Sequence, residues 1–211
     1  MTDQFTVLVV CTGNIHRSAL ADELLATWAR WYLVPELRDS VVVGSAGTGA
    51  PVGEPMGRVT RRIAASLGAD DRSHRARALT DQLIEGADLV LAASRSHRDE
   101  IVSRVPRAMR RTFTMREAAR IAGLLPVERP QSVEDLIKVV QQMADRRPDA
   151  AASTPAADDV IDPHRKDVTV MDDMVREELP ALAALAVPLW GMPRADADEY
   201  ARAAADAEQL R

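Results

Sequence analysis

The chain has 211 residues, with 27 Lys and Arg against 32 Asp and Glu for a net charge of −5, which excludes a general nucleic-acid binder because such a protein needs a basic surface. At 46 % hydrophobic and 28 % charged it reads as a globular chain with a sizeable core, and no apolar run approaches the roughly 20 residues of a membrane helix. Its one cysteine, Cys11, excludes an internal disulfide and a Cys-rich metal site, and no basic region precedes an apolar stretch at the N-terminus, so the expectation is a soluble, reduced, cytoplasmic protein with no secretory signal, no nucleic-acid partner and no membrane insertion.

Phe5 to Val10 is a short run rich in β-branched residues and predicts a buried strand. From Ser18 the period changes. Leu20, Leu24, Trp28 and Trp31 share one helical face, widened by Leu25 and Tyr32, until Pro35 ends the helix. Val41 to Val43 is a second strand, stopped by Gly44-Ser45-Ala46-Gly47. Pro55 to Leu67 reads as a helix with Gly68 as its stop, and Leu79 to Ile84 as a short helical piece. Asp88 to Ala92 is a third strand, followed by a charged helix around Ser96 to Val105. Thr112 to Thr114 is a short fourth strand leading into a helical MREAARIA. Strands alternating with helices imply parallel βαβ units, hence an α/β sandwich.

Beyond Gly123 the pattern loosens. Ser132 to Asp145 is helical, and residues 146–159 (RRPDAAASTPAADD) read as a flexible linker or exposed loop, having almost no large apolar side chain. Order returns at Val160 to Pro163. Val168, Met171, Val175, Leu179 and Leu182 then form a stripe that packs a helix on the sheet, with Pro180 expected to kink or divide it. The segment 194–211 reads as an exposed helix or frayed tail.

The stretch CTGNIHRS, Cys11 to Ser18, lies between the first strand and the first helix. Ligand sites of open α/β sheets sit at such strand-to-helix loops. Loop amides and the positive end of the helix dipole make an anion cradle there. Gly13 and Asn14 are residue types that tolerate the backbone angles of a tight loop. Five residues separate Cys11 from Arg17, so the loop can curl with thiol and guanidinium facing one oxyanion, to which Arg offers a planar fork. Positive charge beside the sulfur favours the thiolate, the nucleophilic form, and Ser18 can donate a hydrogen bond to it. The arrangement suits covalent phosphoryl transfer, with Arg17 and the loop amides of Thr12, Gly13, Asn14, Ile15 and His16 around the equatorial oxygens. A phenolate leaving group of pKa ~10 needs a proton, and Asp162, in DVIDPHRK, is the candidate general acid.

These residues resemble the phosphate-binding loop of the low-molecular-weight protein tyrosine phosphatases. The resemblance continues in family order through SAGTGA (Ser45 to Ala50) with VGEP, through HRARALT from His74, through DLVLAASRSHRDEI from Asp88, and through Asp162-Pro163 with Arg165-Lys166. It implies a three-layer α/β sandwich with a four-stranded parallel sheet. It also implies a single phosphatase domain over 1–190 with an inserted segment about 123–159, and a helical tail over 191–211. Cys11 is then the nucleophile, Arg17 the phosphate clamp and Asp162 the acid and later base. Asn14, Ser18, Ser45 and His74 support the loop as a polar network. The implied partners are a phosphotyrosine-containing protein, a tyrosine autokinase among the candidates, and inorganic phosphate or another oxyanion in the loop; no metal or cofactor is implied. His16 stands where the family usually has a second cysteine, Ala19 where it has Pro, and His164 where an aromatic follows Asp-Pro. Two alternatives stay open at this level: an arsenate reductase using an external low-molecular-weight thiol, and a non-catalytic phosphate- or phosphotyrosine-binding relative.

Overall fold

The structure, a computed structural model, describes residues 4–69 and 73–211. In chain order the strands are β1 (Phe5–Cys11), β2 (Val41–Gly47), β3 (Leu89–Ala92) and β4 (Thr112–Thr114). The helices are α1 (Arg17–Tyr32), α2 (Pro35–Arg38), α3 (Arg58–Ser66), α4 (Asp81–Glu85), α5 (Arg95–Arg104), α6 (Met115–Ala122), α7 (Val133–Arg146), α8 (Val168–Trp190) and α9 (Arg194–Ala205). Among the described residues the four strands form one parallel sheet of order β2-β1-β3-β4. This is the expected α/β three-layer sandwich.

The layers follow from alternation along the strands. Val7 and Val9 of β1, with Leu89, Leu91 and Phe113, face a large core shared with α1, α6 and α8. Leu8, Val10, Val90 and Ala92 face the opposite way, onto Ile84 of α4 and Ile101 of α5. Side chains of a strand point to opposite faces at period two, so a strand buried on both sides reads as one continuous apolar run.

Several elements depart from the sequence expectation. β2 does not stop at Gly44: it stays paired with β1 to the register Gly47↔Cys11, and so carries Ser45 to the loop that follows β1. The helix expected from Pro55 begins at Arg58. Trp31, expected on the buried face of α1, is 48 % exposed, whereas Trp28 is fully buried. α8 runs unbroken through Pro180 and Pro188 to a left-handed cap at Gly191, φ +70°. Burial of Leu179, Ala181, Leu182 and Ala183 around Pro180 outweighs the lost helical bond there.

The 146–159 segment is not a free linker. It forms 3-10 turns at Arg147–Ala150 and Pro155–Asp158. Arg120 of α6 pairs with the buried Asp158 and donates to the Ala150 carbonyl at 3.2 Å. Arg147 lies 4.2 Å over the Phe113 ring and 3.0 Å from Glu117. The tail is likewise neither exposed throughout nor frayed. α9 stacks Tyr200 on Trp28 at 4.6 Å, Asp196 accepts a bond from the Tyr32 hydroxyl at 2.9 Å, and Arg211 pairs with Asp172 at 2.8 Å. Most of 146–159 and of the tail helix is exposed, as composition suggests; what composition could not show is how they are fastened, by side chains such as Arg120, Arg147, Tyr200 and Arg211 reaching partners far along the chain, a signal with no sequence period. Among the described residues no helix is long and apolar enough to cross a membrane.

Candidate active site

β1 delivers Cys11 to the C-terminal edge of the sheet, and α1 starts at Arg17. The loop between them is fastened along its length. Thr48 N–H donates to the Cys11 carbonyl at 3.0 Å, Gly49 N–H to Thr12 at 2.9 Å and Gly57 N–H to Ile15 at 2.9 Å. The close approach of β2 requires a glycine: a Cβ at Gly47 would lie 2.4 Å from the Thr12 carbonyl oxygen.

Asn14 is the keystone. It is fully buried and left-handed at φ +52°, a conformation Asn adopts more readily than most residues. Its side-chain amide donates to Ser18 Oγ at 3.0 Å and Ser45 Oγ at 2.8 Å, and its Oδ1 accepts from Arg77 N–H at 2.9 Å. Its carbonyl lies 2.8 Å from His74 Nε2. Ser45 Oγ donates onward to Asp22 at 2.7 Å. The expected network of Asn14, Ser18, Ser45 and His74 is thus brought together, with Asp22 and Arg77 as members the sequence reading did not name. The Cys11 sulfur lies 3.0 Å from Ser18 Oγ and accepts the Asn14 N–H at 3.3 Å.

Arg17 is 4 % exposed. It donates to the Val160 carbonyl at 3.2 Å and pairs with Asp162 at 2.7 Å. The chain following the 3-10 turns therefore returns across the loop from Cys11 to Arg17. It is held there by Val160 N–H to Ala93 O at 2.8 Å, Arg95 N–H to Asp159 Oδ1 at 2.7 Å, and Ile161 N–H to Glu177 at 2.7 Å. Cys11, Thr12, Gly13, Ile15, His16, Arg17 and Asp162 line one cleft of about 450 Å³, together with Pro51, Glu54 and His164. The His16 and His164 rings are 6.3 Å apart, and His16 Nδ1 sits 2.7 Å from Thr60 Oγ1. Burial, and then the neighbouring His164, push the His16 pKa below its ordinary value, so His16 is a neutral ring beside the oxyanion cradle at pH 7.

Two polar groups near the loop went unforeseen. His97 of α5 is 6 % exposed and bonds Thr12 Oγ1 through Nε2 at 2.9 Å and Ser94 Oγ through Nδ1 at 2.6 Å. Burial, and then the Arg17 charge, lower its pKa to about 4, so it too is neutral at pH 7. Its signal was a His in SRSH at a helix start, but its partner lies 85 residues away. Glu178 of α8 is fully buried, neither carboxylate oxygen has a hydrogen-bond partner, and burial raises its pKa well above the ordinary value against the opposing pull of Arg17. It reads in sequence as one more surface acid of a charged helix. Among the described residues no cluster of three or more His, Cys, Asp or Glu is arranged to hold a metal.

What this arrangement can do is bind a tetrahedral oxyanion over a sulfur nucleophile, with a carboxyl group at the same opening. Known proteins resemble the chain both in sequence and in fold. The family model for low-molecular-weight phosphotyrosine protein phosphatase matches residues 6–147. The chain is 33 % identical, over 66 % of its length and 91 % of the relative's, to a Ralstonia nicotianae protein named "Probable low molecular weight protein-tyrosine-phosphatase EpsP". It is also 33 % identical, over 54 % of its length and 70 % of the relative's, to a protein-arginine-phosphatase of Geobacillus stearothermophilus. Among solved structures, the low-molecular-weight protein tyrosine phosphatase of T. tengcongensis superposes with a TM-score of 0.50 at 31 % identity, covering 70 % of this chain and 95 % of that one.

Proposed function

The chain belongs to the low-molecular-weight phosphotyrosine protein phosphatase family and is a phosphatase; from that premise we propose that it hydrolyses protein phosphotyrosine through a phosphocysteine formed on Cys11. The observation that carries the reading is the Arg17–Asp162 contact at 2.7 Å inside the cleft that Cys11 lines. It holds a carboxyl group from the far part of the chain against the arginine read as the phosphate clamp, which supports the acid role. That acid lies beyond the span of the family model, which ends at 147. Its inclusion in one catalytic domain with the N-terminal loop is part of the proposal.

The steps follow from the geometry. A phosphate monoester takes the Arg17 fork that Asp162 occupies, and the loop amides and Arg17 hold its equatorial oxygens. The Cys11 thiolate attacks phosphorus, and the bond to the leaving oxygen breaks in line. Asp162, released from Arg17 and having taken up a proton from solvent, gives that proton to the departing oxygen and becomes the carboxylate that acts in the next step. Ser18 Oγ, 3.0 Å from the sulfur, stabilises the thiolate before attack and after its release. Water then attacks the phosphocysteine, Asp162 takes one proton, and the electron pair of the S–P bond returns to sulfur. Ile15 and Pro51, with the rings of His16 and His164, wall the cleft, a surface suited to a flat aryl group. Proteins carrying phosphotyrosine, a tyrosine autokinase among them, are the partners this reading names.

Turnover of a phosphotyrosine peptide by the unsubstituted protein, lost in Cys11→Ser, is the test. Asp162→Asn should slow that peptide by about 10²–10⁴-fold and p-nitrophenyl phosphate much less, because the better leaving group needs no proton. Equal slowing of both substrates would remove Asp162 from the acid role. Faster turnover of a phosphoarginine peptide than of a phosphotyrosine peptide would replace the substrate class.

A further inference from the structure

Thr12 follows Cys11 and lines the same cleft as Cys11 and Asp162. Its hydroxyl is tethered rather than free: Oγ1 is 2.9 Å from Nε2 of the buried His97, whose Nδ1 is 2.6 Å from Ser94 Oγ, itself 2.8 Å from Ser96 Oγ. The turn that carries this chain, Ala93 to His97, also anchors the acid segment, through Val160 N–H to Ala93 O and Arg95 N–H to Asp159. One turn thus holds both the Thr12 hydroxyl and the segment that leads into Asp162, and none of the steps described above uses that hydroxyl.

We propose that Thr12 Oγ1, oriented by His97, is the second hydrogen-bond acceptor of the water that hydrolyses the phosphocysteine, so that His97 is a positioning residue for the dephosphorylation step. The proposal rests on the phosphocysteine reading. Attacking water has two protons to place. One passes to the Asp162 carboxylate as the O–P bond forms and the S–P bond breaks, its electron pair returning to Cys11 sulfur. The other stays on the oxygen and needs an acceptor that holds the lone pair aimed at phosphorus. Thr12 Oγ1 is that acceptor when its own proton is donated to His97 Nε2. Nδ1–H then donates to Ser94 Oγ, and the Ser94 proton turns to Ser96. This polarity needs a neutral imidazole, which burial and Arg17 maintain at neutral pH.

Water and methanol separate the idea from a merely structural role. Methanol attacks the same phosphocysteine, gives its one hydroxyl proton to Asp162 and has none for Thr12. In p-nitrophenyl phosphate turnover with added methanol, the ratio of methyl phosphate to inorganic phosphate reports that choice whatever step limits kcat. Thr12→Val should raise the ratio about tenfold, the worth of one hydrogen bond to the water. His97→Leu should raise it similarly, and the double variant no further. Thr12→Ser, which keeps the hydroxyl, should restore the original ratio. An unchanged ratio in a folded Thr12→Val enzyme that still turns over would overturn this proposal and leave the phosphatase reading intact. If His97→Leu does not fold, the two Thr12 variants decide alone. No Cys11-dependent turnover in the unsubstituted protein would overturn both.

Discussion

Glu178 offers the sharpest quantitative test of the packing around Arg17. Its carboxyl is fully buried in α8 with no partner on either oxygen, and burial holds its pKa well above the ordinary value. In the unfolded chain it titrates near pH ~4.3. Below that pH both states carry the proton and the group leaves stability unchanged. Above it the unfolded chain releases the proton while the folded chain retains it, so stability falls as pH rises, by up to about 1.4 kcal/mol per unit, until the folded group itself ionises. Between pH 5 and 8 that amounts to at most about 4 kcal/mol. Glu178→Gln keeps the volume and has no proton to release. Its unpaired amide costs on the order of 1–3 kcal/mol, the same at every pH. The difference in Tm between Glu178→Gln and the unsubstituted protein should therefore move in favour of the variant as pH rises. For a chain of this size the movement is at most about 8–16 °C across that range, and smaller if the folded carboxyl ionises within it. Thermal denaturation at pH 5, 6, 7 and 8, with every other titrating group common to both proteins, measures it directly. Parallel Tm curves would show that Glu178 ionises in the folded state as it does in the unfolded one, and the burial argument would fail.

Other consequences follow from the loop. Asn14→Ala removes the amide that bonds Ser18 and Ser45 and the oxygen that Arg77 N–H meets, and places Ala at φ +52°. It should cost about 2–4 kcal/mol in denaturant unfolding and lower kcat/KM by at least tenfold; full activity would show that the loop holds its shape without the network. Gly47→Ala drives a Cβ to 2.4 Å from the Thr12 carbonyl. It should separate β2 from the nucleophile loop and weaken vanadate inhibition by tenfold or more, whereas unchanged vanadate affinity would mean the strand yields at no cost to the loop. Peroxide inactivation should proceed beyond the sulfenic acid, because Cys11 has no second thiol in the chain to trap it. Recovery of full activity with dithiothreitol after prolonged exposure would contradict this, as would an intact-mass spectrum without added oxygens.

How much could be read without the fold depended on the range of the physics. The strand at Phe5, a helix from Ser18 and the parallel βαβ order were legible, because side-chain period, turn residues and helix breakers act within a few positions. The loop from Cys11 to Ser18 was legible for the same reason: its spacing and its Gly-Asn pair are local. Sequence likewise marked Asp162 as a candidate, but its distance from Arg17 is set by packing. That distance depends on Val160 meeting Ala93, Asp159 meeting the Arg95 amide and Ile161 meeting Glu177, contacts between segments far apart in the chain. The same holds for the arginines that order 146–159, for Tyr200 on Trp28, and for the helix that runs through Pro180 where local rules would break it. Glu178 and His97 show the limit most plainly. A charged residue in a helix is an exposed acid, and a histidine at a helix start is a surface ring, until three layers close over them. Residue type and spacing thus determined which chemistry this chain can perform, because those constraints are local. Only the tertiary structure decided that Asp162 meets Arg17 and that His97 meets the Thr12 hydroxyl, because desolvation and juxtaposition exist only once the chain is packed.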